Sequence, residues 1–130
     1  MSETSSEPRR PHPQPMAAPY MEVDLTRELE QLHPEPGWNS GQNAKTLLKY
    51  DDLRIVLMAL KAEARIPEHR TEGRISIHTV AGHLKVRAQD RTFDLPAGRL
   101  LALDQGVLHD VEAFEDSAFL LTIAWPARKA

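Results

Sequence analysis

The chain has 130 residues, of which 41% are hydrophobic and 5% aromatic, and its 16 basic and 19 acidic side chains leave a net charge of −3. Because it contains no cysteine, a disulfide scaffold, a thiolate metal site and thiol catalysis are excluded. No apolar run reaches the ~20 residues of a membrane span and the charges are interspersed, so we expect a cytoplasmic protein that binds neither membranes nor nucleic acid.

The N-terminal region is rich in proline. Five of the ten prolines lie in the first nineteen residues, among serine, glutamate and arginine. Such a composition buries too little apolar surface to offset the entropy lost on ordering, so residues 1–20 are predicted to be a disordered tail.

A short amphipathic helix is predicted next. Leu25, Leu29 and Leu32 recur at helical spacing, which places them on one face. Asp24 is suited to the N-cap, because its carboxylate can accept hydrogen bonds from the free N–H groups of the first turn. Pro34 ends the helix, and a loop follows.

From residue 46 onward, apolar residues alternate with polar ones, which is the pattern of β-strands. Two predicted stretches of strand, residues 53–60 and 117–125, are apolar on both faces apart from Arg54. The outer surface of one sheet is therefore expected to be covered by the N-terminal segment or by a second subunit. Strands are predicted near residues 46–50, 53–61, 74–81, 83–88, 92–95, 100–103, 107–113 and 117–125.

Eight short strands with no helix between them cannot form a parallel α/β sheet, because each parallel crossover needs a dozen or more residues. The predicted fold class is all-β, a small antiparallel barrel or sandwich. The chain is predicted to divide into a disordered proline-rich tail (1–20), a short helix and loop (21–44), the barrel (45–126) and a C-terminal tail (127–130).

The histidines are the obvious candidates for a site, since imidazole titrates near neutrality and binds metals. In the strand VLHDVEA, alternation turns His109 inward with the valines and turns Asp110 and Glu112 outward. A buried imidazole needs a hydrogen-bond partner or a metal. His78 lies on the opposite face of its strand from Ile75 and Ile77, so it need not meet His109.

Residues 66–126 resemble a single-domain cupin, and the similarity extends back to about residue 45. The first motif of that family resembles H-x-H-x4-E-x6-G, and the second resembles P-x-G followed by a histidine. His69 and Gly82 match the ends of the first motif. Pro96 and Gly98 begin the second motif, and His109, eleven residues after Gly98, matches its histidine.

Two of the four metal-ligand places of the family hold other residues. Thr71 stands at the second histidine place and Ile75 at the glutamate place. Glu72 is the best substitute carboxylate because it is next to Thr71, and Glu68 is the second choice. The resemblance thus implies a jelly-roll barrel with a degenerate metal-binding motif.

Three functional hypotheses follow from the resemblance. The first is a homodimeric barrel that binds a small molecule in its mouth through His69, Thr71, Ile75 and His109, with little or no catalysis and no cofactor. The alternative is a metal-dependent enzyme of the dioxygenase or isomerase type, in which His69, His109 and Glu72 or water hold one divalent iron, manganese, nickel or zinc ion. The third is a structural or interaction role for the dimer.

The character of the ligand can also be predicted. An aliphatic Ile75 in place of a carboxylate makes the mouth drier, which favours a neutral or anionic, partly apolar ligand. Arg74 at the rim could attract a carboxylate. Gly82 is predicted to lie in a turn between two paired strands, where a β-branched residue would be strained.

Overall fold

The structure is a computed structural model that describes residues 19–32 and 41–126. The predictions for the rest, namely most of the N-terminal tail, most of the loop after the helix and the C-terminal tail, lie outside the described residues. The elements found are α1 (Leu25–Leu32), β1 (Gln42–Lys49), β2 (Leu53–Leu60), β3 (Arg65–His69), β4 (Arg74–Ala81), β5 (His83–Ala88), β6 (Arg91–Pro96), β7 (Leu100–Leu103), β8 (His109–Ala113) and β9 (Ser117–Ala124).

The strands form two antiparallel sheets. The first has the order β1-β2-β9-β4-β7 and the second the order β3-β8-β5-β6. Apart from the consecutive pairs β1-β2 and β5-β6, neighbours in each sheet come from distant parts of the chain, as in a jelly roll. The predicted all-β class and antiparallel barrel are confirmed. No helix among the described residues is both long and apolar enough to cross a membrane.

The core lies between the two sheets. Leu84, Val86 and Val111 point into it from the second sheet, and each is 2% exposed or less. Burying such a side chain stabilises the fold by roughly 1.5–3 kcal/mol. The first sheet contributes three rows of side chains that run across β2, β9 and β4: Arg54–Ile123–Ile75, Val56–Leu121–Ile77 and Met58–Phe119–Thr79.

Helix α1 covers the outer surface of the first sheet. Its Leu29 and Leu32 pack in one cluster with Leu57, Ala59 and Leu120, which are the outward residues of the two strands that are apolar on both faces. The predicted cover is therefore supplied by the N-terminal segment. The predicted N-cap is also present, since the N–H of the third helical residue donates to the Asp24 carboxylate at 3.2 Å.

One strand boundary and one whole strand depart most from the prediction. Strand β1 begins at Gln42, inside the segment that was predicted to be a loop. Strand β3 was not predicted, because the sequence RIPEH has no alternation and contains a proline. It nevertheless pairs with β8, through a register shift between Ile66 and His69. Pairing with a neighbouring strand therefore outweighs weak local propensity here.

The prediction for Gly82 was wrong in one respect. The strands on either side of it, β4 and β5, are not paired with each other but belong to different sheets. Gly82 is the point at which the chain crosses from one sheet to the other, with φ +81°. A Cβ atom there would lie 2.4 Å from the Asp116 carbonyl oxygen, so both conformation and space require glycine.

Candidate ligand-binding site

A cavity of about 290 Å³ lies between the sheets, and its walls are mainly aliphatic side chains and one phenylalanine. All four residues predicted to bind a ligand line it: His69, Thr71, Ile75 and His109. The exposed residues Pro67 and Glu68 also line it, so the cavity opens beside β3. Its volume is at the lower end of the ~300–1,000 Å³ typical of small-molecule sites.

The two histidines that match the family motifs, His69 and His109, converge inside the barrel. They are Cα partners across β3 and β8, and their ring centroids are 4.4 Å apart with planes inclined at 55°. His109 is 3% exposed, whereas His69 is half-buried. The pairing of two strands that are distant in sequence thus places a pair of imidazoles in a mainly apolar wall.

The hydrogen bonds of the two rings identify their tautomers. Nδ1 of His69 lies 2.9 Å from the carbonyl oxygen of Pro67, and Nδ1 of His109 lies 3.0 Å from that of Val107. A carbonyl oxygen can only accept, so each neutral ring carries its proton on Nδ1. Each Nε2 is left as an acceptor, and no hydrogen bond to either Nε2 is made within residues 19–32 and 41–126.

Burial lowers the pKa of His109, and the neighbouring charge of a protonated His69 lowers it further. The hydrogen bond to Val107 and the negative charge of Asp110 act in the opposite direction. Because burial is the largest of these effects and the ordinary value is 6.5, the His109 ring is mainly neutral at pH 7.

Thr71 and Ile75 give the cavity its remaining predicted lining. The Thr71 hydroxyl donates to the carbonyl oxygen of Gly73 at 3.1 Å, so its proton is already committed within the chain. Ile75 is 3% exposed and lies beside Ile123 across the sheet. Ile75 makes its part of the wall dry, and the committed proton of Thr71 leaves hydrogen-bond donation to other positions.

One cavity residue was missed by the sequence analysis as a site residue. Arg54 lines the cavity and is 2% exposed, and its Nε atom has no hydrogen-bond partner. Its guanidinium carbon lies 5.3 Å from the centre of the Trp125 ring. The sequence could have indicated this role, because Arg54 is the one charged residue in LRIVLMAL. Charged side chains are rarely buried unless they have a partner or a function.

Two charged residues singled out from the sequence lie elsewhere. Arg74 is exposed, forms an ion pair with Asp104 at 3.0 Å and does not line the cavity. Glu72 is exposed and also outside the cavity lining, so its placement does not suit it as a substitute ligand. Glu68 is the carboxylate that reaches the opening.

The predicted outward direction of Asp110 is found, but its surroundings were not foreseen. Asp110 is 6% exposed, because Arg65 and Arg87 cover it with ion pairs of 3.0 and 3.1 Å. Arg87 also pairs with Glu112 at 3.2 Å. This network on the outer face of the second sheet anchors β8, the strand that presents His109 to the cavity.

The donor atoms around the two imidazoles do not fit a metal centre. Non-haem iron sites typically use two imidazoles and a carboxylate, and catalytic zinc uses three protein ligands. In the described part of the chain, no group of three or more histidine, cysteine, aspartate or glutamate side chains is placed to hold an ion. The Thr71 hydroxyl is a neutral group that already donates to the backbone.

The chain is similar to a known protein family and to several solved structures. A family model for the AraC-like ligand binding domain matches residues 55–126. No curated protein matches the chain. Among solved structures, a conserved protein of unknown function from Streptococcus pyogenes is 20% identical, with a TM-score of 0.69, and the match covers 92% of this chain and 99% of that one.

Two further structures share the fold. An RmlC-like cupin protein from Desulfovibrio desulfuricans is 22% identical over 81% of this chain and 97% of that one, with a TM-score of 0.65. KdgF from a Halomonas species is 24% identical over 72% of this chain and 84% of that one, with a TM-score of 0.61. At these identities the likeness concerns the fold alone.

Proposed function

The chain belongs to the family of AraC-like ligand binding domains, which are cupin-type barrels, and from this membership we propose that it binds a small molecule inside the barrel with little or no catalysis. The ligand contacts are His69, Thr71, Ile75 and His109. The same fold supports many activities, so the proposal depends on the cavity and not on the fold alone.

One observation carries this proposal: two imidazoles, each with its Nε2 left as an acceptor, line a mainly apolar cavity. Each ring is held in one orientation by its Nδ1–H, which donates to a backbone carbonyl within its own strand region. A ligand hydroxyl or amide N–H that donates to His69 or His109 is thereby oriented, while its apolar part packs on Ile75. An acceptor left without a donor in such a place costs about 1–3 kcal/mol.

The proposal is tested by methyl and backbone NMR with four small probes of one size: hexan-1-ol, hexanamide, hexylamine and hexanoate. We expect shifts at the cavity methyl groups of Ile75, Ile77 and Val111. The hydroxyl of hexan-1-ol is expected to donate a hydrogen bond to an imidazole Nε2. Its affinity should therefore fall about tenfold in the His69→Ala/His109→Ala variant.

The matched control is His78→Ala, which removes a half-buried imidazole on the outer face of the first sheet. We expect it to leave the affinity unchanged. If none of the four probes moves a cavity methyl at millimolar concentration, the proposed function is wrong.

The alternative is a metal-dependent enzyme of the dioxygenase or isomerase type. One feature favours it, because metal-binding histidines also donate their other ring N–H to a backbone carbonyl. Elemental analysis of untagged protein purified without chelator decides between the two. Near-stoichiometric iron, manganese, nickel or zinc that is lost in the His69→Ala/His109→Ala variant would support the enzyme and reject the metal-free cavity.

A further inference from the structure

We propose that the ligand is a small monocarboxylic acid and that Arg54 binds its carboxylate. This proposal rests on the proposed function, since it assigns the chemical class of the molecule that occupies the same cavity. It also changes the predicted anion contact from Arg74 at the rim to a residue inside the barrel.

Arg54 is a buried charge. Its side chain is inside the cavity wall, the residue is 2% exposed, and its Nε has no hydrogen-bond partner. Within the described residues no ion pair to its guanidinium is formed. Arginine stays charged at all relevant pH values, so this position holds a positive charge away from water.

The positive charge of Arg54 is not balanced by a buried negative charge in the cavity lining. Apart from Arg54, the charged or titratable residues in the lining are Glu68, His69 and His109. Glu68 is exposed at the opening and the imidazoles bring no negative charge. A buried charge is costly unless it is paired, so an anion that enters this cavity gains an interaction that the chain does not already satisfy.

The guanidinium of Arg54 is held against an aromatic ring. The guanidinium carbon lies over the ring of Trp125, 5.3 Å from the ring centre, and Trp125 is itself 5% exposed. A cation–π contact of this kind restrains the position of the guanidinium, while its Nε has no hydrogen-bond partner among the residues that the structure describes. The planar fork of N–H donors matches the two oxygens of a carboxylate.

The surroundings favour a single carboxylate over a phosphate or a sugar. Arg54 shares its cross-strand row with Ile123 and Ile75, and the next row is Val56, Leu121 and Ile77. These side chains offer no further donors to a dianion and no partners to several hydroxyl groups. They fit an aliphatic or aromatic body attached to one charged end.

The positions of the two sheets define the ligand's orientation. Arg54 belongs to the first sheet, whereas His69 and His109 belong to the second. Facing sheets are about 10 Å apart, so a ligand of six or so heavy atoms in line reaches from one wall to the other. Its carboxylate is bound at Arg54, and a hydroxyl or N–H at its far end is bound at the imidazoles.

The test compares hexanoate with hexanamide, which have the same length and differ in charge, by NMR titration near neutral pH. In the wild-type protein we expect hexanoate to bind about tenfold or more tightly than hexanamide. Arg54→Met should remove this preference and leave the affinity for hexanamide within about threefold. Arg54→Lys keeps the charge but not the fork, and it should retain part of the preference.

Arg74→Met is the matched control, because it removes an exposed arginine that does not line the cavity; we expect the preference to be unchanged. If both probes bind in the cavity with equal affinity, or if the preference survives in Arg54→Met, the carboxylate assignment is wrong while the proposed function stands. If Arg54→Met does not fold, Arg54→Lys decides: a reduced preference supports the assignment, and an undiminished preference shows that it is wrong. If neither probe, nor the alcohol or amine, enters the cavity, both proposals are wrong.

Discussion

Arg54, His69 and His109 are the polar side chains through which we propose that a mainly apolar cavity selects its ligand. Each is held by contacts that belong to the barrel: a tryptophan face for Arg54 and a backbone carbonyl for each imidazole. None of these contacts satisfies the groups completely. Stability that a better-packed apolar side chain would supply is given up here, as is common where a site must keep unsatisfied groups for a ligand.

The lowered pKa of His109 predicts how stability depends on pH. The unfolded chain takes up the His109 proton near the ordinary value of 6.5, whereas the folded chain does so only at a lower pH. The stability associated with the neutral buried ring is therefore fully present above about pH 6.5 and is lost as the pH falls through the folded pKa. We expect the wild-type Tm to fall between about pH 7.5 and about pH 5.

The comparison that isolates this effect is His109→Gln, which keeps a polar side chain but does not titrate. Its Tm should fall less over the same interval, and thermal unfolding followed by circular dichroism measures both. Parallel Tm profiles for the two proteins would show that His109 does not couple stability to pH.

Among the secondary-structure elements, the junction between β4 and β5 constrains the chain most. Successive strands enter different sheets there, so the backbone must turn within one residue while it passes close to the chain at Asp116 and Ser117. The neighbouring hydroxyl of Ser117 accepts the N–H of His83 at 2.9 Å. The crossing from the first sheet to the second thus depends on close packing around Gly82.

We therefore predict that Gly82→Val destabilises the protein by about 3 kcal/mol or more, from backbone strain and overpacking together. Gly98→Val is the matched control, because Gly98 also has a positive φ, 94°, but has open space where a Cβ would stand. Strain alone should cost about 1–3 kcal/mol there. His109→Ala, which enlarges an existing cavity, should also cost less than Gly82→Val.

Chemical denaturation measures the free energy of unfolding of the three variants. Equal losses for Gly82→Val and Gly98→Val would contradict the close approach at the junction. A loss for His109→Ala as large as that for Gly82→Val would contradict the ranking.

The whole molecule is a two-sheet barrel with a third layer, helix α1, on the outside of one sheet. The helix buries Leu32, which is 8% exposed, against a surface that includes Leu57 and Ala59. Its position is also secured by an ion pair between Glu28 and Lys45 of β1. Helix α1 is thus part of the folded unit, and the homodimer predicted from the family remains a prediction.

Weakening this layer should destabilise the whole barrel. We expect Leu32→Ala to lower the free energy of unfolding by about 2 kcal/mol, because it removes buried apolar area and leaves part of the sheet uncovered. Leu25→Ala is the matched control on the same helix, since Leu25 is half-buried and outside the cluster with Leu57. Equal effects in denaturant unfolding would show that the helix does not cover the sheet as described.

Local patterns in the chain were sufficient for the strands that alternate regularly, for the capped helix and for the inward direction of His109, because each depends on residues close in sequence. The spacing of His69 and His109 allowed their meeting to be predicted through the family resemblance. Strand β3 was missed because it is held by pairing with β8 and has no pattern of its own.

The position of Arg54 in the cavity lining was decided by the tertiary structure alone. Along the chain it is a charge that interrupts an apolar strand, and only the pairing of β2 with β9 and the facing second sheet place it inside the cavity with both imidazoles. Long-range pairing selects which side chains share a closed volume, and that volume sets the cost of a charge within it. Sequence periodicity records the direction of each side chain but not what stands opposite to it.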